Sequence, residues 1–359
     1  MSKLKGIKSK NQRMFQRKNF WKLLIIGVSL LAASFSYYVW QIFRTPNVNA
    51  KRGQDYYLLV PTGATYERVL DSLQKNNIVN DKVSFRFIAK LMKYPELVKA
   101  GRFRIRPDMG NYDAVKLLRS GDQTPLRITF NNIRVKSDLV HKVGTRFEFD
   151  SLRFARMLDS DSVCRYYGFT PQTIMAMFLP DTYEMFWNTT PQKLMGRMKS
   201  EYDKFWNPER RQQAKVLNLS PVEVSVLASI VEAETKNSVE KPRVAGVYLN
   251  RLHRNIPLQA DPTVIYAIGD FGIRRVLKAQ MFFDSPYNTY VHAGLPPGPI
   301  NLPDPRSIDA VLKPESHDYL YFCASPDLNG THIFARNYED HISNARLYQQ
   351  ALNRLGIKK

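Results

Sequence analysis

Cysteine is nearly absent: Cys164 and Cys323 are the only two in 359 residues. That excludes a small scaffold built on disulfides, and two buried free thiols are expected. The six histidines (His141, His253, His292, His317, His332, His341) show no H-E-x-x-H or comparable ligand spacing, so no metal or other cofactor is expected. Internal repeats and low-complexity tracts are missing as well. Acidic residues are absent from the first 22 positions, and charge of either sign is absent from residues 23–40.

What fills those two gaps is informative. The first 22 residues carry eight basic side chains (Lys3, Lys5, Lys8, Lys10, Arg13, Arg17, Lys18, Lys22), which leaves +13 of the formal +21 for the rest of the chain. Such a balance suits an anionic partner, and nucleic acid is one class to weigh. The uncharged run LLIIGVSLLAASFSYYVW follows, and with Phe20, Trp21, Ile42 and Phe43 it reaches the ~20 residues that cross a bilayer. Tyr37, Tyr38 and Trp40 stand where an interfacial aromatic belt belongs, and the basic run assigns the N-terminus to the cytoplasm. A cleaved signal peptide is the alternative, with Val48-Asn49-Ala50 as a faint small-residue site. Its apolar region is too long, so an uncleaved single-pass anchor is expected, with everything after Arg44 outside. Export removes nucleic acid as the main partner and leaves anionic lipid headgroups as one that fits.

The remainder, in a chain 44% hydrophobic and 24% charged, is long enough for two or three domains. The expected layout is a cytoplasmic tail over 1–22, a transmembrane helix over 23–43, a polar linker over 44–54, a small subdomain over 55–122 and a larger mixed α+β domain over 123–359. In the small subdomain, Tyr56-Tyr57-Leu58-Leu59-Val60 reads as a strand ended by Pro61-Thr62-Gly63. Helices over 65–76 and 81–92 follow, the second with Phe85, Ile88, Ala89 and Leu91 inward. Residues 101–105 read as a second strand with Phe103 and Ile105 inward, and a helix over 111–120 stops at Gly121. Strand, two helices and strand in so short a span resembles the LysM fold, a glycan-binding module; an interdomain spacer is the competing reading.

In the larger domain, 126–130 is a predicted strand, 141–167 a set of short helices, and Pro180-Asp181 a bend or cap before a basic amphipathic helix over 190–207. The organising stretch runs from Ser220 to Asp261. Ser220, Pro221 and Glu223 spell a capped helix start, and Val224, Leu227, Ile230 and Val231 form a buried stripe. At ~100° per residue, Glu234 falls ~20° from Leu227 on that stripe, whereas Glu232 points ~140° away. A carboxyl held against apolar neighbours at the negative end of a helix keeps its proton to higher pH, which is the equipment of a general acid. The plainer reading is a glutamate that pairs with Arg243 or Arg251.

Further blocks follow in fixed order: VAGVYLNRL, LQADPTVIYAIG, YNTY and GLPPGPI. Together with LASIVEAET and an upstream LPDTY they resemble the endolytic murein transglycosylases, membrane-anchored peptidoglycan terminases. That resemblance implies a lyase that cuts nascent glycan strands, with Glu234 as the catalytic acid. It also implies peptidoglycan strands and peptidoglycan synthases as partners, and a basic surface that meets the carboxylates of stem peptides. The blocks supply the candidate glycan-binding residues Arg251, Gln259, Asp261, Thr263, Tyr287, Asn288, Thr289, Tyr290, Leu295 and Pro296. Asp261 reads first as a helix cap before Pro262. Alternatively it is a second carboxylate for Glu234 in a hydrolase of the two-carboxylate design. Residues 287–290, as a strand, would set Tyr287 and Thr289 on one face and Asn288 and Tyr290 on the other, and Leu295 and Pro296 belong to a rigid loop that walls a groove. Residues 319–324 and 331–334 are a predicted hairpin, the first strand buried, before a final helix over 338–355. A non-catalytic glycan-binding scaffold is the remaining alternative.

Overall fold

The computed structural model describes residues 2–48, 54–107 and 109–355, with side chains from residue 18 onward. It is a mixed helical and stranded protein with two compact units, one of 1–125 with 186–188 and the other of 126–185 with 189–359.

The first unit opens with α1 (Ser2–Arg44). Lys18–Arg44 is a 27-residue stretch whose most apolar 18-residue window has a mean hydropathy of 1.8; at ~40 Å it is long and apolar enough to cross a bilayer. The segment after it starts packed. Asn47 and Val48 are buried, and Pro46 and Val48 bridge to Gly110 and Val79. Residues 49–53 of the expected linker, with Asn49 and Ala50 of the faint cleavage site, lie outside the described residues.

Strand β1 (Tyr56–Val60) pairs antiparallel with β2 (Gly101–Ile105), Leu58 opposite Phe103. Between them run α2 (Tyr66–Lys75), capped by the Thr65 hydroxyl, and α3 (Lys82–Leu91), capped by the Asp81 carboxylate. Helix α4 (Asn111–Ser120) follows and ends at Gly121 with φ +75°. Leu58, Val69, Leu73, Phe85, Ile88, Phe103 and Leu118 fill one core. Leu91, expected inward, is 59% exposed; it sits on the face of α3 opposite the core.

In the second unit, β3 (Leu126–Thr129) pairs antiparallel with β4 (Thr182–Met185) around α5 (Lys136–Gly144), α6 (Ser151–Asp159) and α7 (Asp161–Tyr166). Asp181 forms the bend into β4, its Oδ1 accepting from Thr182 N at 2.6 Å. Helices α8 (Pro191–Phe205), α9 (Pro208–Val216) and α10 (Pro221–Glu234) each begin with a side-chain cap followed by proline. That pairing satisfies an orphan donor and places the residue lacking one at the first position. Then come α11 (Lys241–His253), α12 (Asp261–Ile268), α13 (Pro305–Leu312), the antiparallel hairpin β5 (Tyr321–Ala324) and β6 (His332–Ala335), and α14 (Tyr338–Arg354).

Helix α10 is the axis of this unit, packed by α9, α11, α12 and α13. Every residue from Val224 to Val231 is buried, so the helix has no solvent face along its middle and meets open space only at its ends. Gly246 of α11 lets the loop after α13 lie against the helix: a Cβ there would lie 2.7 Å from the Glu315 carbonyl. Both cysteines are free thiols; Cys164 is buried, whereas Cys323, expected to be buried, is half-buried in β5.

Candidate active site

Glu234 is the last residue of α10, and Thr235 leaves the helix in an extended conformation. The capping box at the other end is complete, with the Ser220 hydroxyl accepting from Glu223 N and the Glu223 carboxylate from Ser220 N. The half-buried Glu234 side chain opens onto a cavity of about 280 Å³ that it shares with Tyr248, Arg251, Gln259, Asp261, Tyr290, Tyr321, Phe322, Tyr338 and His341. Burial raises its pKa from the ordinary carboxyl value to about 7, and the Asp261 charge adds to the rise. The Tyr248 hydroxyl opposes it by donating to Glu234 Oε1 at 2.8 Å. The result is an acid half-protonated near neutral pH, with one oxygen fixed by a phenol.

Tyr248 stands in the middle of α11, where its ring reads as core, and indeed it is buried. Burial and the neighbouring Glu234 drive its own pKa well up, so it stays a donor. His341, from α14, also lines the cavity; its Nδ1 is buried without a protein partner. Burial and the Arg251 charge hold its pKa below the usual imidazole value. Neither residue stands out in the sequence as a site residue, because Tyr248 lies on an apolar stripe and His341 belongs to no motif.

Glu232 has a different environment. Rather than pointing into solvent, it accepts from the buried Lys241 Nζ at 2.6 Å and from the Ser307 hydroxyl, and Lys241 also donates to Ser307 Oγ at 2.8 Å. Neither arginine expected to pair with Glu234 is hydrogen-bonded to it. Arg243 grips Glu315, and Arg251 donates to the carbonyls of Pro257 and Leu320 and to Gln259 Oε1. Arg251 therefore holds Gln259 at the cavity wall, with three of its guanidinium N–H groups engaged.

Asp261 is not a cap. Ala260 is the cap residue of α12, Asp261 is the first helical residue, and its Oδ1 accepts from the Tyr290 hydroxyl at 2.7 Å. Thr263 and Thr289 are buried beneath it: Thr289 Oγ1 accepts from Ala260 N and Thr263 Oγ1 donates to Ala260 O. Asn288 is buried too, donating to the carbonyls of Met281 and Phe283 and accepting from Tyr290 N. Residues 287–290 are turns and not a strand. Asn288 N bonds to Ser285 O and Val291 N to Asn288 O, which closes the backbone locally, and Thr289 O accepts from Gln259 N. Thr263, Asn288 and Thr289 therefore support the wall from behind. Tyr287 packs on Tyr266 with ring centroids 4.8 Å apart.

The expected loop wall is only partly there. A Cβ on Gly298 would lie 2.0 Å from the Gln172 carbonyl, so the loop is pressed onto that backbone, and Leu295 and Pro296 line neither cavity beside Glu234. Its end does contribute. Ile300, Asn301 and Leu302 line a second cavity, of about 510 Å³, together with Asn132, Arg134, Glu232, Ala233, Lys236, Pro262, Tyr266 and Phe271. Glu232 and Pro262 face this cavity and Glu234 and Asp261 the smaller one, so the two flank the facing ends of α10 and α12. The linker from α10 to α11 is stitched to the hairpin: Glu240 accepts from His332 N at 2.9 Å and contacts His332 Nδ1 at 3.0 Å.

A raised-pKa carboxylic acid at the mouth of one polar cavity, beside a second cavity with aromatic walls, is the geometry that general-acid chemistry requires. Residues 58–347 match the YceG-like family, and the chain belongs to it. It is 28% identical to an endolytic murein transglycosylase of Streptococcus pneumoniae strain D39, over 91% of this chain and 64% of that protein. With the endolytic murein transglycosylase of Bacillus subtilis strain 168 it shares 26% identity over 79% of this chain and 81% of that one. The chain thus spans just under two thirds of the pneumococcal relative's length. A crystal structure of a YceG-like protein from Listeria monocytogenes superposes with a TM-score of 0.52 at 24% identity, covering 81% of this chain and 99% of that one, a likeness of fold.

Proposed function

We propose that this protein is an endolytic peptidoglycan lytic transglycosylase, held by α1 in the inner membrane with its N-terminus in the cytoplasm and both units after α1 in the periplasm. Its substrate is the nascent glycan strand, and its reaction cleaves the β-1,4 bond between N-acetylmuramic acid and N-acetylglucosamine. Glu234 gives its proton to the departing glycosidic oxygen as the bond to C1 breaks. The same carboxylate then takes the proton of the muramoyl C6 hydroxyl as that oxygen closes on C1, which yields a 1,6-anhydro end and consumes no water. An internal nucleophile has a high effective molarity, so a single carboxyl suffices.

The observation that carries this reading is the pKa of about 7 at Glu234, which lets one group serve as acid and then as base near neutrality. Tyr248 holds Oε1, which leaves Oε2 to carry the travelling proton. The strand lies across both cavities, with sugar faces on Tyr266 and Phe271. The first unit serves as a LysM-like, glycan-binding module. Anchoring restricts the enzyme to strands leaving a synthase, which suits termination of growth.

A second reading is favoured by one contact: Asp261 shares the cavity with Glu234 and raises its pKa electrostatically, as the second carboxylate of a hydrolase does. Product analysis separates the two. Mass spectrometry of polymerised strands digested by wild type should show 1,6-anhydro ends, and Glu234→Gln should release none. Reducing ends that incorporate oxygen from labelled water would replace the lyase with the hydrolase. Undiminished cleavage by the variant would remove Glu234 from the reaction, and none by wild type would leave a glycan-binding scaffold.

A further inference from the structure

Helix α3 turns two parallel stripes to solvent. Val83, Phe87 and Leu91, spaced by four, are 77%, 55% and 59% exposed. Lys82, Arg86 and Lys90 each precede one of them and are exposed as well. Residues four apart share a helix face, so an apolar row runs beside a basic row, while Phe85, Ile88 and Ala89 hold the opposite side in the core. The helix contains no acid, and its three basic residues make no ion pair among the described residues.

The start of α3 is fastened to the end of α1. Asn47 lies three residues beyond Arg44. Its Nδ2 donates to Asp81 O at 2.8 Å, and its Oδ1 accepts from Asp81 N at 2.6 Å. Asp81 in turn caps α3 through Val83 N and Ser84 N. Asn111 doubles the clamp by donating to Ile42 O at 3.1 Å and to Ser84 Oγ at 3.0 Å. Three residues reach at most ~10 Å, about the depth of a headgroup layer outside the ~30 Å hydrocarbon slab. The first turn of α3 is thus tied to the level where α1 leaves the membrane.

We propose that the Val83, Phe87 and Leu91 row seats in the outer interface of the bilayer that holds α1, with Lys82, Arg86 and Lys90 on anionic lipid headgroups. A basic row beside an apolar one is the pattern of an interfacial helix. Continuity with α1 selects lipid as the occupant, and the inference rests on α1 spanning the bilayer. The first unit is then seated on the surface at two points.

The test uses the full chain with Cys164→Ser and Cys323→Ser, carrying one nitroxide label on either Leu30→Cys or Phe87→Cys. It is reconstituted in phosphatidylcholine vesicles with and without phosphatidylglycerol. Collision rates with oxygen and with a nickel chelate are compared by electron paramagnetic resonance. The Leu30 label should be oxygen-rich in both vesicles, and the Phe87 label should become oxygen-rich when phosphatidylglycerol is present. Changing Lys82, Arg86 and Lys90 to glutamine should lower the surface-seated population about fivefold per charge removed. A Phe87 label as open to nickel as a solvent-exposed position in both vesicles, with Leu30 buried, overturns the proposal alone. Spin–spin broadening between Phe87 labels of two copies overturns it in favour of self-association. A nickel-accessible Leu30 removes the anchor reading beneath it.

Discussion

Two carboxyls stand two residues apart at the end of α10, and their surroundings make them different chemical objects. Glu232 is closed by a buried ammonium and a hydroxyl, so its charge is matched within the fold. Glu234 has no ion pair among the described residues; it faces a phenol and, across the cavity, a second carboxylate. Identical side chains on one helical turn are thus divided into a structural ion pair and a carboxyl of raised proton affinity by their partners.

The sharpest way to test that division is to remove the acid: Glu234→Gln should lower the rate of strand cleavage by ~10³-fold, measured with polymerised glycan as substrate. The next is to strip the other carboxyl of its match. Lys241 and Glu232 are only 7% and 22% exposed, so Lys241→Met leaves a largely buried carboxylate unpaired. It should cost about 3 kcal/mol in urea unfolding, while the pH profile of the surviving activity stays in place. The smallest effects are the most specific. Glu234 acts protonated, so activity falls as pH rises through its pKa near 7. Tyr248→Phe removes the bond that lowers this pKa, so the falling limb should move to higher pH, with about a tenfold loss of rate. Asp261→Asn removes a charge that raises it, and the limb should move to lower pH. Limbs that move together, or not at all, would show that these neighbours do not set the proton affinity of Glu234.

The same pair marks where the sequence is readable. The start of α10 was legible because capping box and proline act within four residues. The phase of Glu234 was legible because helix geometry is periodic. The environment of Glu232 was not: its match comes from α11 and α13, and Ser307 is 75 residues away. Periodicity put Tyr248 correctly in the core, but it speaks for the ring and is silent about the hydroxyl. Asp261 before proline has the composition of a cap, yet Thr263 and Thr289 satisfy the backbone there and free its carboxylate for Tyr290. In residues 287–290 the alternation imitates a strand, and local hydrogen bonds of Ser285 and Asn288 override it.

The Glu240 contact to His332 carries a mechanical consequence. The segment that follows Glu234 and the hairpin presenting Tyr321 and Phe322 are laced together by one carboxylate, so a shift of either that parts them costs Glu240 both of its contacts to His332.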